Sequence, residues 1–185
     1  MRTTRQNNLL AFVGLHHYPQ KRKYTGEPYT VHLIAVAEMA DKYKLKLGYE
    51  IGLTHDLFED TACTNTELRE ALIRFGYSLE EANYICLGVL CLTDNYTTLA
   101  YPNLNRKKRK QFEVERMATI FHYYQSIKYC DLIDNTKSIV EHDQAFAKVY
   151  LEEKRQLLEV MNKGNKILYK KALSQIPSIE GINNK

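Results

Sequence analysis

The chain has 185 residues, 44% hydrophobic and 26% charged, which is enough for one folded domain of ordinary size. It contains neither an apolar run of about 20 residues nor the features of a secretion signal, so we expect a cytoplasmic protein without membrane spans. The net charge of +4 is mild, and four scattered cysteines without a CxxC pair predict neither a disulfide framework nor a cysteine zinc site.

Apolar residues recur with helical spacing, and no stretch alternates with the period of two that is typical of a strand. Thr64 with Glu67 and Ser78 with Glu81 have the spacing of capping boxes, which marks two helix starts. We therefore predict an all-α bundle of about eight helices, with residues 18–29 as a loop and an irregular polar segment from Glu59 to Thr64. The predicted helices cover residues 3–17, a second helix capped by Thr30, about 48–58, Thr64 to Gly76, Ser78 to Leu92, and roughly 104–124, 126–140 and 145–174.

Four polar residues gather near the end of the third predicted helix. His55 and Asp56 are adjacent in an otherwise mostly apolar segment, and Glu59 and Asp60 follow one turn later. Imidazole and carboxylate groups are both good ligands for a divalent metal. Because burying a charge is costly unless it is paired or metal-bound, this cluster predicts a site, although a simple helix-end cluster is the alternative.

Two further residues extend this pattern. His32 lies in the first turn of the second helix, and Asp131 lies in a segment whose isoleucines mark a buried face. Asn135 is one turn beyond Asp131, so both can face one cavity. Each residue alone has an ordinary structural explanation, but together they supply four ligands from three helices: His32, His55, Asp56 and Asp131. An octahedral metal held in this way would keep positions open for water and substrate.

Positive charge is concentrated in two places. No acidic residue precedes Glu27, and residues 106–110 form an unbroken basic block. Such clusters favour polyanions, although a solvated helix face is the ordinary explanation of a charge run. Lys23, Arg106, Lys107 and Arg109 are therefore candidates for contacts with the phosphoryl oxygens of such a polyanion. The alternative is a nucleic-acid-binding protein that uses Arg106–Lys110 and needs no metal.

Several segments together resemble the RelA/SpoT-like HD hydrolases. The resemblance covers roughly residues 10–160 of the single domain that we expect over residues 1–185, and the order and spacing of the segments also match. The matching segments are Tyr24-Thr25-Gly26-Glu27-Pro28-Tyr29-Thr30-Val31-His32, similar to GEPY…H; His55-Asp56-Leu57-Phe58-Glu59-Asp60-Thr61, similar to HDxxEDT; Leu92-Thr93-Asp94; and Lys128-Tyr129-Cys130-Asp131 through Asn135.

The resemblance implies a manganese-dependent enzyme that hydrolyses the 3′-pyrophosphate of the alarmone (p)ppGpp, a small nucleotide. Some members of the family consist of the hydrolase alone, as this chain does by its length. Other nucleotides stay open as substrates, including the 2′-phosphate of NADPH or the substrate of a nucleotidase. The roles that the resemblance implies are metal ligation by His32, His55, Asp56 and Asp131, hydrolysis by Glu59 and Asp60, purine packing by Arg22, and nucleoside contacts by Asn135 and Ser138.

The chain departs from the family pattern at three points. Leu33 replaces the usual proline after the first histidine, and the loop between Arg22 and Gly26 is one residue longer than in many alarmone hydrolases. Asp134 stands where the family often has histidine or tyrosine. We expect the last two departures to affect the nucleoside pocket, so the reaction type is better supported than the substrate.

Overall fold

Helices form nearly all of the regular structure in residues 1–177, which are the residues that the computed structural model describes. In chain order they are α1 (Thr4–His17), α2 (Thr30–Lys42), α3 (Gly48–Thr54), α4 (Leu57–Asp60), α5 (Asn65–Arg74), α6 (Leu79–Leu92), α7 (Arg106–Met117), α8 (His122–His142), α9 (Gln144–Val160) and α10 (Lys166–Leu173). Strand-like pairing in these residues is limited to one isolated bridge between Lys21 and Pro28. The predicted all-α class is confirmed. None of the helices in this range combines the length and apolar character needed to cross a membrane.

Local capping signals predicted the starts of α5 and α6 correctly. The Ser78 hydroxyl accepts a hydrogen bond from the Glu81 backbone N–H at 3.1 Å, and the Glu81 carboxylate accepts one from the Ser78 N–H at 2.8 Å. Thr64 accepts from the Glu67 N–H at 3.2 Å. These contacts satisfy backbone donors that a helix start otherwise leaves free, so they define the boundaries locally.

Other predicted boundaries were wrong. Thr30 is the first residue of α2, and Tyr29 occupies the capping position without a side-chain hydrogen bond. The helix predicted over about 48–58 is interrupted at His55 and Asp56, where Asp56 has φ −95° and ψ 2°. Glu59 and Asp60 were expected in an irregular segment. Both lie in the short helix α4 instead.

The C-terminal half also contains more helices than predicted. Helix α7 ends at Met117 and α8 begins at His122, so both of these boundaries fall earlier in the chain than expected. The single helix predicted over 145–174 is divided into α9 and α10. Between them the Gly164 N–H donates to the Tyr129 hydroxyl at 3.3 Å, and a Cβ on Gly164 would lie 2.7 Å from the Tyr129 ring. The break thus depends on a tertiary contact with α8.

Helix α8 is the centre of the bundle and packs against α2, α3, α6, α9 and α10. Its buried residues include large apolar and aromatic side chains such as Ile127 and Tyr129, but also the charged Asp131 and Asp134. Charged groups in a core need partners, so the polar face of α8 marks the place to look for a site.

Helices α2 and α3 approach each other closely. A Cβ atom on Gly52 would lie 2.9 Å from Ala37 Cα and 3.0 Å from Ala37 N, so the two backbones are in contact at this point. Glycine permits this approach because it has no side chain. The contact fixes α2, which carries His32, against the helix that ends next to His55.

Candidate metal centre and active site

The four predicted metal ligands come together beside α8: one atom each of His32, His55 and Asp56 lies within 4.8 Å of the other two, and Asp131 Oδ1 faces both histidines. His32 comes from α2, His55 and Asp56 from the turn between α3 and α4, and Asp131 from α8. His55 Nε2 is 3.0 Å from Asp56 Oδ2 and 3.7 Å from Asp131 Oδ1. His32 Nε2 is 3.7 Å and 3.3 Å from the same two oxygens. These separations are of the size expected for neighbouring ligands of one small cation, about 3 Å to 4 Å.

The free nitrogens of both histidines point into this cluster. His55 Nδ1 lies 2.8 Å from the Gly52 carbonyl oxygen, which can only accept, so Nδ1 carries the proton. His32 Nδ1 likewise donates to Asp134 Oδ2 at 2.7 Å. Both Nε2 atoms are buried and have no hydrogen-bond partner within the described residues. Buried nitrogens of this kind, which face carboxylates but have no hydrogen-bond partner in that part of the chain, fit a divalent cation.

The electrostatics of the cluster favour a cation. Burial alone would oppose charge on His55, yet Asp56 and Asp131 outweigh it and raise the pKa of His55 well above its ordinary value. Burial also opposes ionisation of Asp56, but His55 holds the pKa of Asp56 at about 2. The protein therefore keeps its carboxylates ionised and attracts positive charge at this point, whether from protons or from a metal ion.

Outer residues hold the carboxylates of Asp56 and Asp131, the two candidate ligands, in place. The Tyr29 hydroxyl donates to Asp56 Oδ2 at 2.7 Å, the Asn135 amide donates to Asp131 Oδ1 at 2.6 Å, and Lys128 Nζ lies 2.9 Å from Asp131 Oδ2. Such contacts orient metal ligands before a metal arrives. The roles of Tyr29 and Lys128 were not predicted, although both lie in the motif segments noted above.

The acidic pair of α4 borders the cluster. Glu59 accepts from the Asp94 N–H at 3.0 Å, and Asp60 accepts from the Gln20 amide at 2.9 Å. Partial burial and the nearby Asp94 carboxylate raise the pKa of Glu59 to about 7. Because Glu59 is exposed on one side, solvent reduces this shift. The raised pKa makes Glu59 a better proton acceptor than an ordinary glutamate.

Two cavities flank the cluster, and Asn135 lines both of them. The first has a volume of about 160 Å³, which is room for phosphate groups, whereas the second, at about 350 Å³, is of the size typical of small-molecule sites. The polar residues of the first cavity include Asp94, Arg106, Lys110, Lys128, Asp131 and Lys154. The second is lined by Arg22, Lys23, Tyr24, Tyr29, His32, Asn135, Ser138, Ile139 and Phe146.

Lys128 provides positive charge deep in the first cavity. Its burial opposes the charge, but Asp131, Asp94 and Glu59 outweigh that effect and raise the pKa of Lys128, so the side chain stays an ammonium. Lys110 Nζ pairs with Asp94 at 2.6 Å in the same cavity. Lys128 and Lys110 are therefore both paired with carboxylates near the cluster.

The predicted substrate residues are distributed unevenly. Arg22, Lys23, Asn135, Ser138 and Arg106 line the two cavities. In contrast, Lys107 is exposed, and Arg109 donates to the Leu104 carbonyl; neither lines these two cavities. Arg106 lies at the wall of the first cavity, where its guanidinium pairs with Glu153 at 2.8 Å.

Asp134 was expected to affect the nucleoside pocket, because it differs from the residue that the family often has there. In the structure it also contacts a candidate metal ligand. Besides accepting from His32, it pairs with Arg22 Nη1 at 2.9 Å. Arg22, for which purine packing was inferred, is thus attached to a residue that orients a candidate metal ligand. The sequence could have suggested that Asp134 lies near the site, because it is next to Asn135 and one helical turn before Ser138 on α8. Its contact with His32 on α2 is tertiary, so the sequence could not show it.

The fold and the cluster together define an all-helical domain built around a histidine–aspartate centre. Compared with known proteins, the chain matches no protein-family model, and no curated protein matches its sequence. Among solved structures, the fold of the chain is similar to the structure of a metazoan ortholog of SpoT that hydrolyzes ppGpp and plays a role in starvation responses. The TM-score is 0.77, the sequence identity is 19%, and the match covers 95% of each chain. The HD-type helical fold predicted from the sequence is therefore confirmed.

Proposed function

We propose that the chain is a divalent-metal-dependent phosphohydrolase of nucleotides. The observation that carries this proposal is the convergence of His32, His55, Asp56 and Asp131, with two buried imidazole nitrogens that have no partner in the described residues. The ligand set of two imidazoles and two carboxylates suits manganese and similar ions. The fold of a ppGpp-hydrolysing protein adds support for the reaction class.

A divalent cation at this site would supply an acidified water and stabilise charge on phosphoryl oxygens. The chain's own residues then have three tasks. Glu59, with its raised pKa, accepts the proton of the attacking water, and Asp60, held by Gln20, orients that water. Lys128 balances the negative charge that develops on the phosphoryl group.

We propose the 3′-pyrophosphate of (p)ppGpp as the substrate. The 350 Å³ cavity, with Arg22 at its wall and Tyr24 and Phe146 beside it, would receive the base and ribose. The basic cavity across Asn135 would receive phosphate groups. NADPH and other nucleotides are the alternatives, because the same metal centre would serve them and only the cavities would select between substrates.

The test is turnover of ppGpp, NADPH and a panel of nucleotides by the full chain with Mn²⁺, with every product identified. Release of pyrophosphate and guanosine 5′-diphosphate from ppGpp is the expected result. Release of phosphate from NADPH alone would replace the substrate assignment but keep the metal hydrolase. If no phosphate ester or diphosphate is cleaved with Mn²⁺, while chelator-treated and Mn²⁺-loaded protein are both folded, the proposed function is wrong.

The acidic pair offers a sharper test of the roles within the site. We expect the Glu59→Gln, Asp60→Asn double variant to lose at least about 100-fold in kcat, in line with the loss of general base catalysis. The affinity for Mn²⁺, measured by calorimetry, should change little because neither residue is a proposed ligand. Activity equal to that of the wild type would contradict the roles given to both residues.

A nucleic-acid-binding function has weaker support. Within the block at 106–110, Arg106 pairs with Glu153, Lys110 pairs with Asp94, and Arg109 donates to a backbone carbonyl. Three of the five side chains are thus engaged inside the protein. This alternative predicts binding to RNA or DNA that falls steeply with salt and does not need metal, which a titration at two salt concentrations measures.

A further inference from the structure

A second group of ligand-type side chains lies outside the His32 cluster. His16 comes from the last turn of α1, Cys63 from the loop before α5, and Glu67 from the first turn of α5. One ligand atom from each of the three residues lies within 4.8 Å of the other two. His16 Nε2 and Glu67 Oε1 are 3.4 Å apart. Two segments that are far apart in sequence thus present nitrogen, sulfur and oxygen donors close together.

The separation between the His16 and Glu67 donor atoms fits a tetrahedral ion, and Cys63 Sγ lies within 4.8 Å of both. Ligand atoms about 2.0–2.3 Å from a zinc ion at tetrahedral angles are about 3.3–3.6 Å from each other, which is close to the observed 3.4 Å between His16 and Glu67. Cys63 is only 5% exposed, whereas the His16 and Glu67 side chains are 21% and 46% exposed. The thiol therefore lies on the buried side of the group, and His16 and Glu67 lie on the side that solvent reaches.

Local contacts hold the backbone at Cys63 and Glu67 and the ring of His16. The Cys63 N–H donates to the Thr61 hydroxyl at 3.1 Å, which fixes the loop that carries the thiol. The Glu67 N–H donates to Thr64 at the start of α5, and the His16 ring packs edge-on against Phe12 with the centroids 4.4 Å apart. A group that is positioned before binding loses less conformational freedom when it binds.

We propose that His16, Cys63 and Glu67 form a second metal site, of the zinc type, with water as the fourth ligand. A thiolate and an imidazole prefer Zn²⁺ over Mn²⁺ or Mg²⁺, so this site and the His32 cluster select different ions. Binding releases the Cys63 thiol proton to solvent. The sequence predicted no cysteine zinc site because the cysteines lack CxxC spacing; here the ligands come from different elements instead.

An ion at this site would join α1 to the start of α5. His17, the residue after His16, donates from Nδ1 to Gln20 Oε1 at 2.7 Å, and the Gln20 amide nitrogen donates to Asp60 at 2.9 Å. Cys63 follows Asp60 by three residues. The site therefore anchors both sides of the segment that carries the acidic pair, and its proposed role is structural.

The test uses Co²⁺, which replaces zinc and gives a charge-transfer absorption band when it binds a thiolate. The His32 cluster contains no cysteine, so a thiolate band reports the second site alone. We expect metal-free full-length protein to develop this band on titration with Co²⁺, and Zn²⁺ to remove it. The band should be absent in Cys63→Ser, and His16→Gln and Glu67→Gln should each weaken Co²⁺ binding by at least about 10-fold.

Cys91→Ser is the matched control, because Cys91 is partly exposed on α6 and is not one of the three ligands. It should keep the band. Absence of a thiolate band in the wild type at saturating Co²⁺, an unchanged band in Cys63→Ser, or loss of the band in Cys91→Ser would each overturn the proposal. If Cys63→Ser does not fold by circular dichroism, His16→Gln decides, and affinity equal to the wild type in that variant overturns it.

Discussion

At the scale of single residues, Asp134 connects the candidate metal centre to the larger cavity. One carboxylate oxygen, Oδ2, accepts from His32 Nδ1 at 2.7 Å and pairs with Arg22 Nη1 at 2.9 Å. Burial opposes its ionisation, but His32 and Arg22 outweigh this and lower the pKa of Asp134. Asp134 thus keeps His32 in the tautomer whose Nε2 can bind a metal.

Replacing this carboxylate should weaken metal binding without removing a ligand. We expect Asp134→Asn to lower the affinity for Mn²⁺ by about 10- to 100-fold, which is the usual effect of losing an outer partner of a ligand histidine. Calorimetric titration with Mn²⁺ measures this. Asp41→Asn, at an exposed position on α2, is the control and should bind like the wild type. Equal affinity in both variants would show that Asp134 does not orient His32.

Lys154 should make the stability of the protein depend on pH, because its side chain is fully buried. Its ammonium donates to Thr136 and Gln175, both at 2.7 Å, but burial still lowers the pKa of Lys154 to about 7. The ordinary value of 10.5 is taken as that of the unfolded chain. Between these two values the unfolded chain binds more protons than the folded one, so folding stability should rise with pH.

Lys154→Met tests this directly. The free energy of unfolding of the wild type, relative to that of Lys154→Met, should increase between pH 7 and pH 9 by at most about 1.4 kcal/mol per pH unit. Urea denaturation at several pH values measures both proteins. A difference that stays constant over this range would mean that Lys154 is not neutralised on folding.

At the scale of elements, the contact between α2 and α3 sets the distance between the two candidate histidine ligands. A Cβ on Gly52 would lie 2.9 Å from Ala37 Cα, and this backbone cannot move aside without moving α2. The turn that follows α3 then directs His55 and Asp56 to the same point. Helix packing therefore controls the geometry of the candidate site.

Gly52→Ala should separate these helices. We expect it to lower the free energy of unfolding by about 1–3 kcal/mol, as overpacking does, and to weaken Mn²⁺ binding as well. Gly14→Ala is the matched control in α1, because its Cβ would meet only Thr30 Cγ2 at 3.9 Å, an ordinary contact. That variant should be slightly more stable than the wild type, by about 0.5–1 kcal/mol. Chemical denaturation distinguishes them, and equal stabilities would disprove the tight contact.

At the scale of the whole molecule, the candidate ligands span from residue 32 to residue 131 and meet only after the bundle has formed. A cation that binds the folded state alone stabilises it by RT ln(1 + L/Kd), where L is the free concentration of the cation. With Mn²⁺ at 100 times its Kd, the free energy of unfolding should rise by about 2.7 kcal/mol. A thermal unfolding scan measures this as a higher Tm. The increase should vanish in His55→Ala and persist in His16→Gln; an equal increase in His55→Ala would place the ion elsewhere.

The sequence alone was sufficient for the helical class and for the starts of α5 and α6, because periodicity and capping are local properties of the chain. It also singled out the four residues that the fold brings together beside α8, because their types and order are visible without coordinates. The ends of the longer helices were less predictable. The break between α9 and α10 depends on the contact of Gly164 with Tyr129, which sequence spacing does not reveal.

Only the tertiary structure decided which residues support that cluster and which do not. The pairing of Asp134 with His32 joins α8 to α2, and the meeting of His16 with Cys63 joins α1 to the loop before α5. Equally, Lys107 lies in the basic block but turns to solvent. Each of these outcomes depends on how helices cross, which is set by side-chain packing between distant segments and not by the residue types along any one of them.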